Sequence, residues 1–257
     1  MQILLIGCGK MGSALLEQWK TGADDFTIVD PGLDAAPDGV RLFSAREDAA
    51  DRHYDAVVVA IKPQMVDDIL PDYAEQFAED GYCLSIAAGC SIERLRTATG
   101  KPVVRVMPNL PAAIGRGVSG LCPGPDASSE HIAHATGLME LTGSVVLLDS
   151  EDAIDRFTAI AGSGPGYVFE LARTYVEAAE RLGFSAKQAR EMVLGTLEGT
   201  IAMARRSDLS LEELRNSVTS KGGTTAAGLH ALNGQGSLTE LLETTTRSAY
   251  ERAIEMR

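Results

Sequence analysis

The sequence has no apolar run long enough to cross a membrane and relatively little positive charge. A transmembrane helix needs about 20 consecutive, mostly apolar residues, so none is predicted. The 257 residues include 23 Lys and Arg against 36 Asp and Glu, a net charge of −13 that opposes binding to nucleic acid and to anionic membranes. The first residues, MQILLIG, already have the pattern of a strand rather than a leader peptide. We therefore expect a soluble, cytoplasmic protein with neither of these partners.

Cysteine is scarce and lacks the spacing of metal or redox motifs. Cys8, Cys83, Cys90 and Cys122 show no C-x-x-C pattern and lie in or beside apolar segments. We expect reduced, structural thiols and no metal site. The four histidines lie in polar or helical stretches, and we expect them to be structural or solvated rather than catalytic.

What the sequence does contain is a change of pattern near residue 150. Before it, strand-like runs alternate with helical patterns, which predicts βαβ units and a parallel sheet. The runs are QILLI, FTIVD, DAVVVAI, YCLSIAA, PVVRVM and SVVLLD. After it we find only helical patterns. The predicted fold class is α/β, with an N-terminal Rossmann-type dinucleotide-binding domain over residues 1–150 and an all-α dimerisation domain over residues 151–257.

Helix boundaries in the second half carry recognisable signals. Ser185, Ser210 and Ser237 each precede a Gln or Glu by three residues, the pattern of a capping box. The helix that opens at GSGPGYVFELARTYVEAAERLG is expected to stop at Gly183. The next helix, SAKQAREMVLGTLEGTIAMARR, is apolar or small around most of its circumference, as buried helices are. Because so small a domain can bury it against a second subunit, we expect a homodimer through these helices.

A G-x-G-x-x-G turn follows the first strand directly and opens a helix. This placement is typical of a dinucleotide site, in which the glycines allow a tight turn, close approach of the pyrophosphate and helix packing. The predicted contacts there are Gly7, Cys8, Gly9, Lys10, Met11 and Gly12. Asp30 ends the second strand, where a carboxylate accepts from the ribose 2′-hydroxyl and repels a 2′-phosphate. NADH is therefore favoured over NADPH, although Asp30 facing solvent beside a Pro31-Gly32 turn remains open.

Two further strands end in sequences that suit the nicotinamide end of a cofactor. In open α/β sheets, ligands lie beyond the carboxyl ends of strands, and AIKPQ and MPN occupy such ends. Asn109 is placed to orient the carboxamide and Pro108 to bound the ring. The alternative, that both segments are merely proline-terminated strands, stays open.

The segment SKGGTT near the end of the chain combines glycines, hydroxyls and a cation before a helix. Nests of backbone amides and helix N-termini attract anions, so this segment predicts a carboxylate or phosphate site. Its members are Ser220, Lys221, Gly222, Gly223, Thr224 and Thr225. Whether Lys221 faces the anion or solvent is left open.

Several long segments resemble the pyrroline-5-carboxylate reductase family. They are AVVVAIKPQ, IAAGCSIERL, RVMPNLPAAIGRGVSGL, AIAGSGPGYVFE and NSVTSKGGTTAAGLHAL, in family order over nearly the whole chain. The resemblance implies a Rossmann domain, a helical domain that dimerises by interleaving helices, further assembly into decamers in some members, and an active site shared between subunits.

The resemblance also assigns residues. Ser220, Gly222, Gly223 and Thr224 match positions that bind the substrate carboxylate, and Thr225 matches the hydroxyl proposed to donate a proton to the ring nitrogen. Positions around the nicotinamide are matched by Ala60, Lys62, Pro63, Ala88, Met107, Pro108 and Asn109. The sequence departs from the family pattern at Ala161, Gly166 and Asp30-Pro31. Many relatives carry an arginine after the second strand, where this chain has Asp30-Pro31.

The implied reaction is NAD(P)H-dependent reduction of 1-pyrroline-5-carboxylate to L-proline, the last step of proline biosynthesis. Two alternatives remain. The departures at Ala161 and Gly166 are compatible with another cyclic imino acid as substrate, and Rossmann proteins of this kind also persist as non-catalytic cofactor-binding regulators. Retention of the complete SKGGTT segment argues against the second alternative.

Overall fold

The structure, a computed structural model, describes residues 1–49 and 51–256 and contains one sheet of eight strands. The strands are β1 (Gln2–Ile6), β2 (Asp25–Val29), β3 (Arg41–Phe43), β4 (Tyr54–Val59), β5 (Phe77–Ser85), β6 (Val103–Met107), β7 (Gly117–Pro123) and β8 (Gly143–Leu147). Their order in the sheet is β3-β2-β1-β4-β5-β6-β7-β8. The chain reverses its direction of progress between β1 and β4, which is where a doubly wound sheet binds its ligand.

The predicted parallel sheet is confirmed from β1 to β6, and the six predicted runs correspond to β1, β2, β4, β5, β6 and β8. Two strands were not predicted. The first, β3, has only three residues, and the second, β7, pairs antiparallel with β6. The connection between β6 and β7 holds only the 3-10 turn Leu110–Ile114, too short for the crossover that parallel strands need. Gly115, at φ +67°, then reverses the chain.

Ten helices lie in the described part of the chain. They are α1 (Lys10–Trp19), α2 (Val66–Ile69), α3 (Ile92–Thr99), α4 (Ser129–Glu140), α5 (Glu151–Phe157), α6 (Gly164–Arg181), α7 (Ala186–Arg205), α8 (Leu211–Ser217), α9 (Thr224–Asn233) and α10 (Ser237–Glu255). No strand occurs in residues 151–256, as predicted, and a π-helical turn at Thr158–Gly162 joins α5 to α6. Within the described residues, no helix has the length and apolar character to span a bilayer.

The predicted helix ends are mostly confirmed. Ser185 and Ser210 form capping boxes with Gln188 and Glu213. Gly183, at φ +101°, follows the last turn of α6. The capping box at Ser237 is wrong.

Asn233 provides the capping oxygen that was expected from Ser237. Its Oδ1 accepts from the amides of Leu238 and Thr239 at 3.1 and 3.2 Å. Ser237 is already the first helical residue, and its hydroxyl donates to the Leu232 carbonyl at 3.1 Å. Because α9 ends at Asn233, only three residues separate the two helices, and the Asn233 side chain lies within reach of the first turn of α10.

Apolar side chains fill both faces of the sheet. On one face, Leu15, Leu16 and Trp19 of α1 pack with Leu138 and Met139 of α4 against the sheet, and all five are buried. The opposite face is covered by the α2 and α3 region and by Ile154 of α5. Burial on both faces explains why the central strands read as continuous apolar runs. The helices fix the turns at the carboxyl ends of β1, β4, β5 and β6.

The chain divides into two compact units, one formed by Met1–Pro165 with residues from Ala249 onward and the other by Gly166–Ser248. The second unit exposes much of its apolar surface. Phe169 and Leu171 of α6 are 63% and 51% exposed, and Leu241 of α10 is 62% exposed. Within the single chain α7 buries only Ala189 and Val193 completely, although its sequence is that of a buried helix. These faces lack a covering partner within the described chain.

Candidate functional site

The turn between β1 and α1 requires glycine at the first position of its G-x-G-x-x-G pattern and leaves little room for a side chain at the third glycine. Gly7 has φ +82°, and a Cβ there would lie 2.9 Å from Ile61 Cγ2 and 3.0 Å from the Ala60 carbonyl oxygen. A Cβ at Gly12 would lie 3.1 Å from the carbonyl oxygen of Gly7. Gly9 is different because a Cβ there would meet no atom within 4 Å. The space beside Gly9 is therefore free for a ligand that approaches the backbone.

The N-terminus of α1 offers unsatisfied backbone donors beside this space. Gly9 is the N-cap, no side chain caps the helix, and no acidic residue lies in the first turn. Lys10, exposed at the first helical position, adds positive charge. Backbone amides and the positive end of the helix dipole suit a pyrophosphate, so the turn fits the phosphates of a dinucleotide.

Asp30 faces the glycine turn from the end of β2. One carboxylate oxygen, Oδ2, accepts from the Cys8 amide at 2.6 Å, and the other accepts from the Gly32 amide at 2.8 Å. Each oxygen has a lone pair left, so the carboxylate can still accept a hydrogen bond from a ribose hydroxyl. Burial, and then the negative charge of Asp30, raises the pKa of the Cys8 thiol. Cys8 thus contributes its backbone, with a neutral thiol, to the turn.

A cleft of about 270 Å³ opens between the ends of β1, β2 and β4. Five of the predicted cofactor contacts line it: Gly7, Gly9, Asp30, Ala60 and Lys62. Its apolar wall includes Met65, Ile69 and Tyr73, which sequence reasoning missed. These three residues are four apart in the sequence, and that spacing was the signal that could have found them.

Of the other nine predicted contacts, five lie beside this cleft and four lie at the neighbouring strand ends. Cys8 lies in the glycine turn, Lys10, Met11 and Gly12 open α1, and Pro63 opens the 3-10 turn after β4. Ala88 lies in the turn after β5, Met107 is the last residue of β6, and Pro108 and Asn109 follow it. The Asn109 side chain is engaged by the backbone, because its Nδ2 donates to the Ala161 carbonyl at 3.0 Å and its Oδ1 accepts from the Val118 amide at 2.9 Å. The side chain therefore ties the end of β6 to β7 and to the π-helical turn.

The SKGGTT segment lies in the second unit, where it leads into α9. Gly222 has φ +74°, and Gly223 is the N-cap of α9 with no side-chain cap. A Cβ at Gly223 would lie 2.4 Å from Ser220 Oγ, so a side chain there would force the Ser220 hydroxyl to move. Thr224 and Thr225 are the first two helical residues and, like Lys221, are exposed in the single chain. The segment presents free amides and hydroxyls in the pattern expected of an anion site.

Comparison with known proteins finds relatives over the whole chain. Residues 151–256 match the family model described as pyrroline-5-carboxylate reductase dimerisation, and residues 2–89 match the one described as NADP oxidoreductase coenzyme F420-dependent. The chain is 34% identical to a pyrroline-5-carboxylate reductase of Pseudomonas aeruginosa, over 99% of this chain and 96% of that protein. It is 31% identical to one of Staphylococcus epidermidis, over 100% and 98% of the two chains.

Solved structures give the same result. A pyrroline-5-carboxylate reductase from Coxiella burnetii superposes with a TM-score of 0.91 at 29% identity, covering 99% of this chain and 97% of that one. A Plasmodium falciparum pyrroline carboxylate reductase with NADP bound superposes with a TM-score of 0.87 at 26% identity, covering 100% and 98%.

Proposed function

Because the chain belongs to the pyrroline-5-carboxylate reductase family, we propose that it reduces 1-pyrroline-5-carboxylate to L-proline, the last step of proline biosynthesis. The observation that supports this is that one chain, related to such enzymes over its full length, has two ten-residue helices, α1 and α9, whose N-termini have no side-chain cap. The first suits the phosphates of the nicotinamide dinucleotide, and the second suits the carboxylate of a small substrate.

The substrate carboxylate is assigned to the SKGGTT segment. Gly223 is the N-cap of α9, so the amides of the first helical turn, Thr224 and Thr225 among them, have no acceptor within the helix, while the Gly223 amide itself donates to the Ser220 carbonyl at 3.0 Å. Ser220 and Thr224 add hydroxyl donors, and Lys221 adds positive charge within the segment. A monoanionic carboxylate suits this set, because the donors are neutral apart from one lysine.

The ring nitrogen of the substrate is assigned to Thr225. When bound, the dinucleotide supplies a hydride to the imine carbon, and the electrons of the C=N bond move to the nitrogen, which carries a proton. A threonine hydroxyl does not ionise near neutral pH, so Thr225 orients the nitrogen and relays a proton rather than acting as a strong acid. Most of the rate enhancement then comes from holding the reacting carbon in place.

For the cofactor, we propose a preference for NADH over NADPH. The support is Asp30, whose carboxylate lines the cleft and would repel a 2′-phosphate. The Plasmodium falciparum relative holds NADP, so the preference needs its own test in this chain. We expect a higher kcat/KM with NADH than with NADPH, and a smaller ratio in Asp30→Ser. An unaltered ratio in that variant would remove Asp30 from the selection.

The chain forms a homo-oligomer, and we propose that its basic unit is a homodimer from which any larger assembly is built. The support is the exposed apolar surface of α6 and α10 in the second unit. Exposed apolar area of this extent marks a protein interface. Light scattering at micromolar concentration is expected to give at least twice the monomer mass of 27.2 kDa. A monomeric mass would contradict the proposal.

One assay tests the reaction. Purified protein is mixed with reduced cofactor and pyrroline-5-carboxylate, and cofactor oxidation is followed by absorbance. We expect turnover with this imine. Turnover only with other cyclic imino acids would assign a different substrate, and cofactor binding without turnover on any of them would assign a regulator.

A further inference from the structure

Arg94 on α3 forms a clasp over the turn that follows β4. Its Nε and Nη2 donate to the two carboxylate oxygens of Asp67 at 2.7 and 2.9 Å. Nη2 also donates to the carbonyl oxygen of Pro63 at 2.9 Å. The planar guanidinium matches a carboxylate with two parallel hydrogen bonds, a geometry that a lysine cannot reproduce.

The clasp joins two turns that the predicted cofactor contacts occupy. Pro63 follows Lys62 in the turn after β4, and Arg94 belongs to the helix that follows the β5 turn containing Ala88. Nη1 of Arg94 also lies 3.7 Å from the Sγ of Cys90, which is in that second turn. One guanidinium thus contacts both turns.

The turn after β4 is held by tertiary contacts, which are the burial of Val66 in the core and the polar tether that Arg94 provides. It consists of the 3-10 turn Pro63–Met65 and the four-residue helix α2, neither of which is long enough to be stable alone. The same segment supplies Lys62, Met65 and Ile69 to the wall of the 270 Å³ cleft. Its position therefore determines the shape of the cleft.

We propose that Arg94 is a positioning residue for the dinucleotide: it holds the turn after β4 against the turn after β5 in the arrangement that binds the cofactor. It acts through Pro63 and Asp67. The inference rests on the proposed function for the identity of the ligand. If loss of the clasp leaves the turn in its binding conformation about a fifth to a tenth of the time, the apparent Kd rises about 5- to 10-fold.

The test measures the Kd of NADH by fluorescence, without imine, in the full-length protein. In Arg94→Ala we expect an increase of about 5- to 10-fold, with kcat at saturating NADH within about twofold of the unsubstituted protein. Arg94→Lys should be intermediate, because an ammonium can serve either Asp67 or Pro63 but not in the same fork. Asp67→Asn should also be intermediate, since the bond to Pro63 remains.

Arg96→Ala is the matched control, because Arg96 lies on the same helix and pairs with Glu93 and Asp126 instead. Its Kd for NADH should not change. An Arg94→Ala Kd equal to that of the unsubstituted protein, or one raised equally by Arg96→Ala, would overturn the proposal. If Arg94→Ala fails to fold, Arg94→Lys and Asp67→Asn decide by the same measurement. If Arg94→Ala binds NADH more weakly but the unsubstituted protein does not turn over the imine, the clasp is supported and the proposed reaction is refuted. If the unsubstituted protein turns over the imine but Arg94→Ala has an unchanged Kd for NADH, the reaction is supported and the clasp is refuted.

Discussion

Alanine at Gly7 and alanine at Gly9 should have opposite consequences, although the two positions lie in one turn. At Gly7 the backbone has φ +82°, and the new Cβ would lie 2.9 Å from Ile61 Cγ2 and 3.0 Å from the Ala60 oxygen. At Gly9 φ is −67°, and the new Cβ would meet nothing within 4 Å. The first change strains the fold, and the second places a methyl group where the pyrophosphate is expected.

The magnitudes follow from these contacts. For Gly7→Ala, the left-handed conformation costs about 1–2 kcal/mol and the forced contacts about 1–3 kcal/mol. The lower conformational entropy of the unfolded alanine variant offsets about 0.4–1 kcal/mol of this cost, so the free energy of unfolding should fall by about 1–5 kcal/mol. For Gly9→Ala the free energy of unfolding should change by less than about 1 kcal/mol, because alanine loses less conformational entropy on folding than glycine, and this offsets its poorer helix cap. The Kd of NADH should nevertheless rise at least about tenfold, a loss of about 1.4 kcal/mol.

Chemical denaturation at one fixed protein concentration measures the first quantity, since oligomers gain stability with concentration. NADH fluorescence titration measures the second. Gly39→Ala is the matched control because Gly39 also has φ +82° but has no atom within 4 Å of a new Cβ. It should lose only about 1 kcal/mol and bind NADH normally.

The reasoning would be refuted by a Gly7→Ala protein as stable as the Gly39→Ala control, because the contacts with Ile61 and Ala60 would then have no cost. It would equally be refuted by a Gly9→Ala protein with unchanged affinity for NADH.

Three further predictions concern other parts of the molecule. Thr225→Ala should lower kcat by roughly 10- to 1000-fold in steady-state assays, with Thr225→Ser recovering most of the rate, and unchanged kinetics would exclude the hydroxyl from the reaction. Glu151→Ala should cost about 3–5 kcal/mol in denaturant unfolding, because Arg105 is 2% exposed and pairs with Glu151; a loss below about 1 kcal/mol would contradict this. All four cysteines are buried, and burial raises the pKa of Cys83 to about 12, so a thiol reagent near pH 8 should label four thiols in denaturant but react far more slowly with the folded protein. Equal labelling rates in the two states would show that the thiols are accessible.

Local patterns were sufficient where residue identity restricts the backbone. Gly7 and Gly222 both have positive φ, and the residues around them predicted the two turns. The capping boxes at Ser185 and Ser210 are likewise local, since each involves residues three apart. At Ser237 the same pattern failed, because α10 already begins at Ser237, the Glu240 amide donates to the Gly236 carbonyl, and Asn233 of the preceding helix caps Leu238 and Thr239.

Strand pairing was harder to predict from the sequence than these turns and caps. The run at β7 was not predicted because it follows a proline- and glycine-rich connection within a segment that was interpreted as a strand end. Its antiparallel pairing, such as Arg105 with Cys122, depends on the length of that connection and on Gly115 rather than on the apolar pattern of the strand. The tiny strand β3 gives too few residues for any periodicity.

The sequence by itself determined the glycine turn, the SKGGTT turn, the helical second half and the apolar helices that require a partner, because each is set by residues close together in the chain. Tertiary structure alone decided which groups these turns contact. Asp30 reaches the Cys8 amide across 22 residues, Arg94 reaches Asp67 across 27 and Asn109 reaches Ala161 across 52. Such contacts arise because the winding of the sheet brings the carboxyl ends of separate strands to one edge, and no local pattern encodes which side chains meet there.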